Sequence, residues 1–359
     1  MKQLKSNPLL NEIRDLIEST KFKTATNINS DLVQLYWEIG RRLHLEILED
    51  QRAEYGKQVI STISNQLLIE YGKGFSQRNI FNMLRFAQTF PDKEILQTLS
   101  AQLSWSHIVE IIYVEDSLKR DFYAQICRLE RWSVRTLRKK MQGMLFERTA
   151  ISKKPKELAI QELESLKNED HLTPDLVLRD PYLLEFLRLD GEFKEKDLED
   201  AILRELEKFI LEFGTDFSFL ARQKRLTIGN EDFYLDLLFF HRSLRKIIAI
   251  ELKLGKFQAA DKGQMELYLK WLNKYEKKEG ESEPLGIILC AEKNHEQVEL
   301  LELGQSSIHV AEYLTQLPSK KALEAKLHQA IEVAQDRFDK AVTYRESEIL
   351  ISHLDIKKA

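Results

Sequence analysis

Residues 232–257 read DFYLDLLFFHRSLRKIIAIELKLGKF, and this run decides the fold. Asp232 to His241 and Leu244 to Leu254 are two stretches of strand length, joined by a tight turn at Arg242 and Ser243. Ile247, Ile248, Ala249, Ile250 and Leu252 follow one another with almost no polar interruption, the mark of a strand covered on both faces. Upstream, Phe217 to Ile228 reads as another strand, and Leu198 to Phe213 as an amphipathic helix stopped by Gly214. Downstream, Gln258 to Tyr275 returns to helical spacing, and Pro284 to Ala291 (PLGIILCA) is an apolar run of strand length. A short strand is expected at Ile308 to Leu314, before a charged helix from Lys320 onward. Helix, three strands, helix, strand predicts an α/β domain with a mixed central sheet.

The polar residues inside these strands carry the chemistry. Side chains alternate along a strand, so Glu251 and Lys253 share one face while Leu252 points to the other. Asp236 sits among Leu235, Leu237 and Leu238, and a buried carboxylate without a partner is costly. A divalent metal shared with Glu251 would compensate it. Hard oxygen ligands suit Mg²⁺ or Mn²⁺, and Lys253 beside such an ion could position or deprotonate an attacking water. The plainer alternative is an ion pair between Asp236 and Lys253 across adjacent strands, with Glu251 at the solvent edge of the sheet. The following helix carries Gln264 and Tyr268, four residues apart and therefore on one face. Arg222, Gln223, Lys224 and Arg225 in the first strand could meet phosphate, or could simply protect a charged sheet edge. His241 reads as a turn or core histidine rather than a ligand, and Cys290 as a core residue.

The first 150 residues read as helices separated by short polar turns. Leu9, Leu10, Ile13, Leu16 and Ile17 recur at helical spacing, as do Leu32, Leu35, Tyr36, Ile39 and Leu43. Turns fall at Tyr71–Ser76 (YGKGFS), where Ser76 can cap the next helix, and at Leu103–His107 (LSWSH). Helix, glycine turn, helix is shared by helix-turn-helix DNA readers and by most helical bundles. From Thr149 to Asp175 the composition turns to Lys, Glu, Asn and Asp with Pro155 and Pro174 and the apolar face thins, as in a linker, with room for one solvated helix. The expected organisation is thus an all-helical N-terminal domain over 1–150, a linker over 151–175, an α/β domain over 176–316 and a C-terminal helical extension over 317–359.

The chain of 359 residues has 54 Lys+Arg against 58 Asp+Glu, 43% hydrophobic and 31% charged residues. That is the balance of a globular protein, not of a fibrous or disordered one. The start, MKQLKSNPLLNEIRDLIEST, has no apolar core of signal-peptide length, and no run approaches the roughly 18 apolar residues of a membrane span, so a cytoplasmic protein without membrane contact is expected. Two cysteines, Cys127 and Cys290, offer neither a disulfide framework nor a Cys-based zinc site. The overall charge hides an asymmetry: residues 1–150 are net +4 and the remainder net −8. Between Lys119 and Arg148, Arg128, Arg131, Arg135, Arg138 and Lys139 recur at near-helical spacing, a candidate stripe for a phosphate backbone, with Trp132 more naturally in the core. No Gly-rich Walker loop occurs, so no ATPase of the chain's own is expected.

Asp236, then Glu251-x-Lys253, then Gln264-x-x-x-Tyr268 resembles the PD-(D/E)xK nuclease superfamily, the last pair being similar to the Q-x-x-x-Y element of its RecB-like members. More closely, residues 232–257, Gly263–Leu269 (GQMELYL) and Leu285–Lys293 (LGIILCAEK) resemble the YhcG family. In the N-terminal half the same resemblance runs through Leu35–Gly40 (LYWEIG), YGKGFS, LSWSH and Trp132–Leu137 (WSVRTL). It implies a restriction-endonuclease-like domain and a Mg²⁺- or Mn²⁺-dependent phosphodiesterase acting on DNA. Asp236, Glu251 and the Leu252 backbone carbonyl would be metal ligands and Lys253 the water-positioning residue. Gln264 and Tyr268 would line the site. A further metal-binding glutamate from the helix before the sheet would be Glu199, with Glu205 in reserve. The usual proline before the aspartate is absent, Leu235 standing there. The competing expectation is a catalytically inactive nucleic-acid-binding or assembly module that keeps the fold; a homo-oligomer is compatible with either.

Overall fold

The computed structural model describes residues 29–45, 53–189, 194–214, 216–303, 307–316, 318–319 and 321–334. The expected helix over residues 9–17 lies outside them. By its internal contacts the chain divides into two units, residues 1–140 and 141–359.

The first unit contains no strand among its described residues. Its helices are α1 (residues 29–45), α2 (Ala53–Tyr71), α3 (Gln77–Thr89), α4 (Lys93–Ser100), α5 (Trp105–Ile111) and α6 (Ser117–Leu129), with α7 (Val134–Gln142) at the boundary. Apolar residues at helical spacing converge on Tyr36, Leu43, Ile60, Ile80 and Met83. Gly40 makes the packing of α1 on α3 feasible: a Cβ there would lie 1.9 Å from the Met83 carbonyl oxygen. In LSWSH, Ser104 caps α5, its N–H donating to His107 Nδ1 at 3.1 Å, while His107 Nε2 meets the Trp132 carbonyl at 2.9 Å. Ser76 starts α3 but makes no side-chain cap.

In the second unit α8 (Leu145–Arg148), α9 (Lys156–Glu169) and α10 (Pro174–Val177) precede a six-stranded mixed sheet. The strands are β1 (Tyr182–Leu183), β2 (Phe217–Ile228), β3 (Glu231–His241), β4 (Lys246–Lys256), β5 (Ser282–Glu292) and β6 (Ile308–Leu314), in the order β1-β6-β5-β4-β3-β2 across the sheet. β2, β3 and β4 form an antiparallel meander, and β4, β5, β6 and β1 run parallel. Five strands stand within a few residues of their expected positions. Two-residue β1 was missed, since so short a strand has no alternation to read.

Helices cover both faces, which is why β4 and β5 read as continuous apolar runs. One face packs Leu237, Ile250, Leu252 and Ile287 under α11 (Glu195–Arg204) and α12 (Leu206–Phe213). The other packs Ala249, Ile288 and Cys290 under Met265, Leu269 and Leu272 of α13 (Ala259–Tyr275). Gly286 lets α13 sit close on β5, because a Cβ there would meet Met265 Cγ at 2.6 Å. The single helix expected over Leu198–Phe213 is two. Glu205, at φ −109° and ψ 29°, breaks it, and each half buries its own apolar residues, Leu198 and Ile202 in one, Phe209 and Phe213 in the other.

Within the stretch expected as a linker, Lys156–Glu169 forms a helix that buries Ala159, Leu163 and Leu166, a stripe too narrow to stand out among Lys and Glu. Residues 321–334 are helical, and Leu323 and Leu327 bury against Met144. Among the described residues no helix is long and apolar enough to cross a membrane. His241 and Cys290 are core residues as expected; burial holds the His241 imidazole down at about 4.

Candidate active site

The β3–β4 ladder pairs Leu237 with Ile250, and one step further it would pair Asp236 with Glu251. It does not. The Asp236 carboxylate takes the place of the ladder, Oδ2 accepting the Leu252 N–H at 2.8 Å. On the other side of β3, the pairs Arg222–Leu237 and Lys224–Leu235 set Gln223 opposite Asp236. Gln223 lies in the left-handed region, at φ 44°, and its Nε2 donates to Asp236 Oδ1 and to Glu199 Oε2, each at 3.0 Å. Three elements are thereby gathered: α11 through Glu199, β2 through Gln223 and β3 through Asp236.

On β4 the alternation holds. Lys253 Nζ lies 3.2 Å from Glu251 Oε1 and 3.9 Å from Asp261 Oδ1, at the first turn of α13. The alternative reading, an Asp236–Lys253 pair with Glu251 at the solvent edge, is therefore corrected: Lys253 pairs with Glu251, which is only 6% exposed. The Leu252 side chain goes into the opposite core.

Electrostatically the site is a set of carboxylates short of positive charge. Burial, then the neighbouring Asp236 charge, pushes the Glu251 carboxyl up to about 7 against the pull of Lys253. Burial also raises Asp236, opposed by the Leu252 N–H and Gln223, and raises Glu199, opposed by Gln223 and Arg222. For Lys253 burial acts downward, but the Glu251 charge and hydrogen bond outweigh it and the ammonium is held above its ordinary range. Two carboxylate oxygens, Glu199 Oε1 and Glu251 Oε2, are buried without a hydrogen-bond partner. Orphaned buried acceptors of this kind mark a place where something electropositive fits.

As it stands, no group of three or more His, Cys, Asp or Glu side chains among the described residues is arranged to hold a metal ion. The Gln223 amide occupies the space between Glu199 and Asp236 instead. The donor chemistry nonetheless suits a hard divalent cation: carboxylates only, two of them with unsatisfied buried oxygens.

The remaining expected residues divide. Gln264 Nε2 donates to the Tyr268 hydroxyl at 2.6 Å, so the two form one unit; Tyr268 is buried, edge-on to Phe233, and feels the charges of Glu251, Lys253 and Asp236. Arg222, half exposed, lies 3.7 Å from Glu199 and from Asp200. Glu205 stands apart at the break between α11 and α12, paired with Lys208 at 2.6 Å.

In the first unit the basic residues do not form one helical stripe. Arg128 ends α6 buried, its Nε on Gln125; Arg131 sits in the turn at φ 51°; Arg135, Arg138 and Lys139 belong to α7, with Arg138 paired to Glu110 at 2.6 Å. The turn before α7 resets the helical phase that the spacing had carried across it. Trp132 is buried.

Sequence reasoning missed three contributors. Glu195, one turn before Glu199 on α11, adds its charge to the field on Asp236 and Lys253, and i, i+4 spacing was the signal that could have found it. Asp261 was hidden as a helix-capping residue. Gln223 reads in the sequence as a phosphate contact or a strand-edge residue, because nothing there announces its positive φ.

Two family models match the chain: the DUF1016 N-terminal domain over residues 12–148, and the YhcG PDDEXK nuclease domain over residues 175–328. The chain is 34% identical over 343 residues to the Escherichia coli (strain K12) protein named "Putative nuclease YhcG", across 87% of this chain and 91% of that one. Among solved structures, a repair endonuclease from Pyrococcus abyssi aligns with 34% of this chain and 49% of its own, at 21% identity and a TM-score of 0.25, a likeness too slight to bear on function.

Proposed function

The chain belongs to the YhcG family of PDDEXK-type nucleases, and from that premise we propose that it hydrolyses phosphodiester bonds of DNA with the help of Mg²⁺ or Mn²⁺. Asp236, Glu251, Glu199 and the Leu252 carbonyl would hold the cation. When bound, it supplies Lewis-acid stabilisation of the charge that builds on the phosphoryl oxygens. The observation that carries this reading is the buried, unpartnered Glu251 oxygen beside Lys253. A protein that used this carboxylate only for structure would satisfy it or dispense with it.

Lys253 orients the attacking water with its ammonium and offsets the growing negative charge, a role for which its position between Glu251 and Asp261 keeps it protonated and fixed. Asp236 holds the start of the Glu251-Leu252-Lys253 segment through the Leu252 amide, so its carboxylate both offers an oxygen and fixes the strand that carries the others. Tyr268, buried with its hydroxyl accepting from Gln264, would line the site from α13 and help hold the metal ligands in place. Arg222 stands at the exposed margin, where a guanidinium meets a phosphate at a smaller desolvation cost than a buried one would pay. The helical N-terminal domain is the module that engages DNA or a second copy, with Arg131, Arg135 and Lys139 exposed for phosphate contact.

The test is cleavage of labelled plasmid, linear duplex, branched DNA and RNA in Mg²⁺, Mn²⁺ or EDTA, comparing wild type with Asp236→Ala. Cation-dependent cutting of a DNA substrate that the variant loses is the expected result. Cutting in EDTA, or cutting retained by the variant, contradicts it.

A further inference from the structure

We propose that the carboxamide of Gln223 is a placeholder for the cation: it bridges Glu199 and Asp236 and swings out when the cation enters. The inference rests on the cation-dependent reading above and concerns a residue outside the expected ligand set.

One nitrogen reaches both carboxylates at 3.0 Å. Both partners accept and neither donates, so the NH₂ group, not the carbonyl, faces them, one hydrogen to each. The bridge joins two separate elements, α11 and β3, whose like charges would otherwise repel across a part-buried gap. An amide can stand there because it presents two positive edges where a cation would present its full charge. It is also built to leave. β2 is the outermost strand of the sheet, and the Gln223 residue is exposed, so rotation about its side-chain bonds carries the amide into water without disturbing either core. Its φ of 44° is one that a non-glycine residue adopts at a cost, and it accompanies the position that aims the side chain at Asp236. A residue that merely scaffolds Glu199 for the cation would have to stay in place when the cation binds. Here the amide hydrogens occupy oxygens that the cation would take.

The sign of the effect follows. Cation binding must displace two charge-assisted hydrogen bonds, so removing them makes binding tighter, whereas removing a scaffold makes it weaker. The full chain, stripped with EDTA, is titrated with Mn²⁺ by calorimetry without nucleic acid, and its thermal midpoint is followed across Mn²⁺ concentration, for wild type, Gln223→Ala, Gln223→Glu and Asp236→Ala. Gln223→Ala is expected to bind Mn²⁺ about tenfold tighter, to melt lower than wild type in EDTA, and to close that gap at saturating Mn²⁺. Gln223→Glu keeps the size but cannot donate, and is expected to move both readouts further in the same direction. Equal or weaker Mn²⁺ binding by Gln223→Ala, or a melting gap that persists at every Mn²⁺ concentration, overturns the placeholder while leaving the nuclease reading intact. A wild-type isotherm that Asp236→Ala does not change overturns both.

Discussion

Asp236 replaces with its side chain a rung that the β3–β4 ladder lacks, its Oδ2 accepting the Leu252 amide hydrogen at 2.8 Å. One carboxylate thus fixes the backbone between Glu251 and Lys253 and also contributes to the site. Asp236→Ala is expected to cost about 1–3 kcal/mol of stability by leaving that N–H unsatisfied, and to lower cleavage about a thousandfold. Asp236→Asn keeps an oxygen for the Leu252 N–H but turns an NH₂ toward the Gln223 donor, so it is expected to lose cleavage to the same extent while retaining more stability than Asp236→Ala. Thermal unfolding beside cleavage rates separates the two roles.

The Glu251 carboxyl gives a pH dependence of definite sign. Its folded-state value of about 7 lies above its ordinary 4.5, so the folded protein holds this proton more tightly than the unfolded chain. The associated stability is fully present below about pH 4.5 and is lost as pH rises toward 7, by about 3 kcal/mol in all. In EDTA, wild type is expected to lose thermal stability relative to Glu251→Gln between pH 5 and 8. A constant difference across that range would contradict the assignment.

Glu199 and Glu205 make a matched pair. The first is tied through Gln223 to Asp236, and the second pairs with Lys208 at a helix break. Glu199→Gln is expected to lower cleavage about ten- to a hundredfold, and Glu205→Gln to leave it within about twofold. Rates under single turnover check both.

In the first unit, Gly40→Ala would drive a methyl group into the Met83 carbonyl, 1.9 Å away, with Leu84 N at 3.1 Å. All of these atoms are α3 backbone, so no flexible side-chain end is there to yield. A loss of about 3 kcal/mol is expected from urea unfolding of the full chain, read as destabilisation of the transition that the first unit contributes.

What the sequence disclosed and what it hid follow from range. The β3–β4 hairpin, the Glu251–Lys253 face and the Gln264–Tyr268 pair rest on periods of two and four residues, which local sterics enforce. The Gln223 bridge joins residues 24 and 13 positions apart through a backbone angle that no side-chain pattern encodes. Arg128 was misplaced because charge alone did not announce its hydrogen bond to Gln125 inside α6. Glu205, equal to Glu199 by composition, is set apart by a break in the helix that apolar spacing does not show.

The most direct test of the central claim is the single-turnover cleavage rate of a labelled DNA duplex in Mg²⁺ for wild type and Lys253→Met, with Mn²⁺ affinity measured alongside. If Lys253 orients the water and offsets developing charge beside the carboxylates, the rate falls at least about a hundredfold while cation affinity stays within about threefold. Cleavage by Lys253→Met at the wild-type rate would show that the chemistry is done elsewhere.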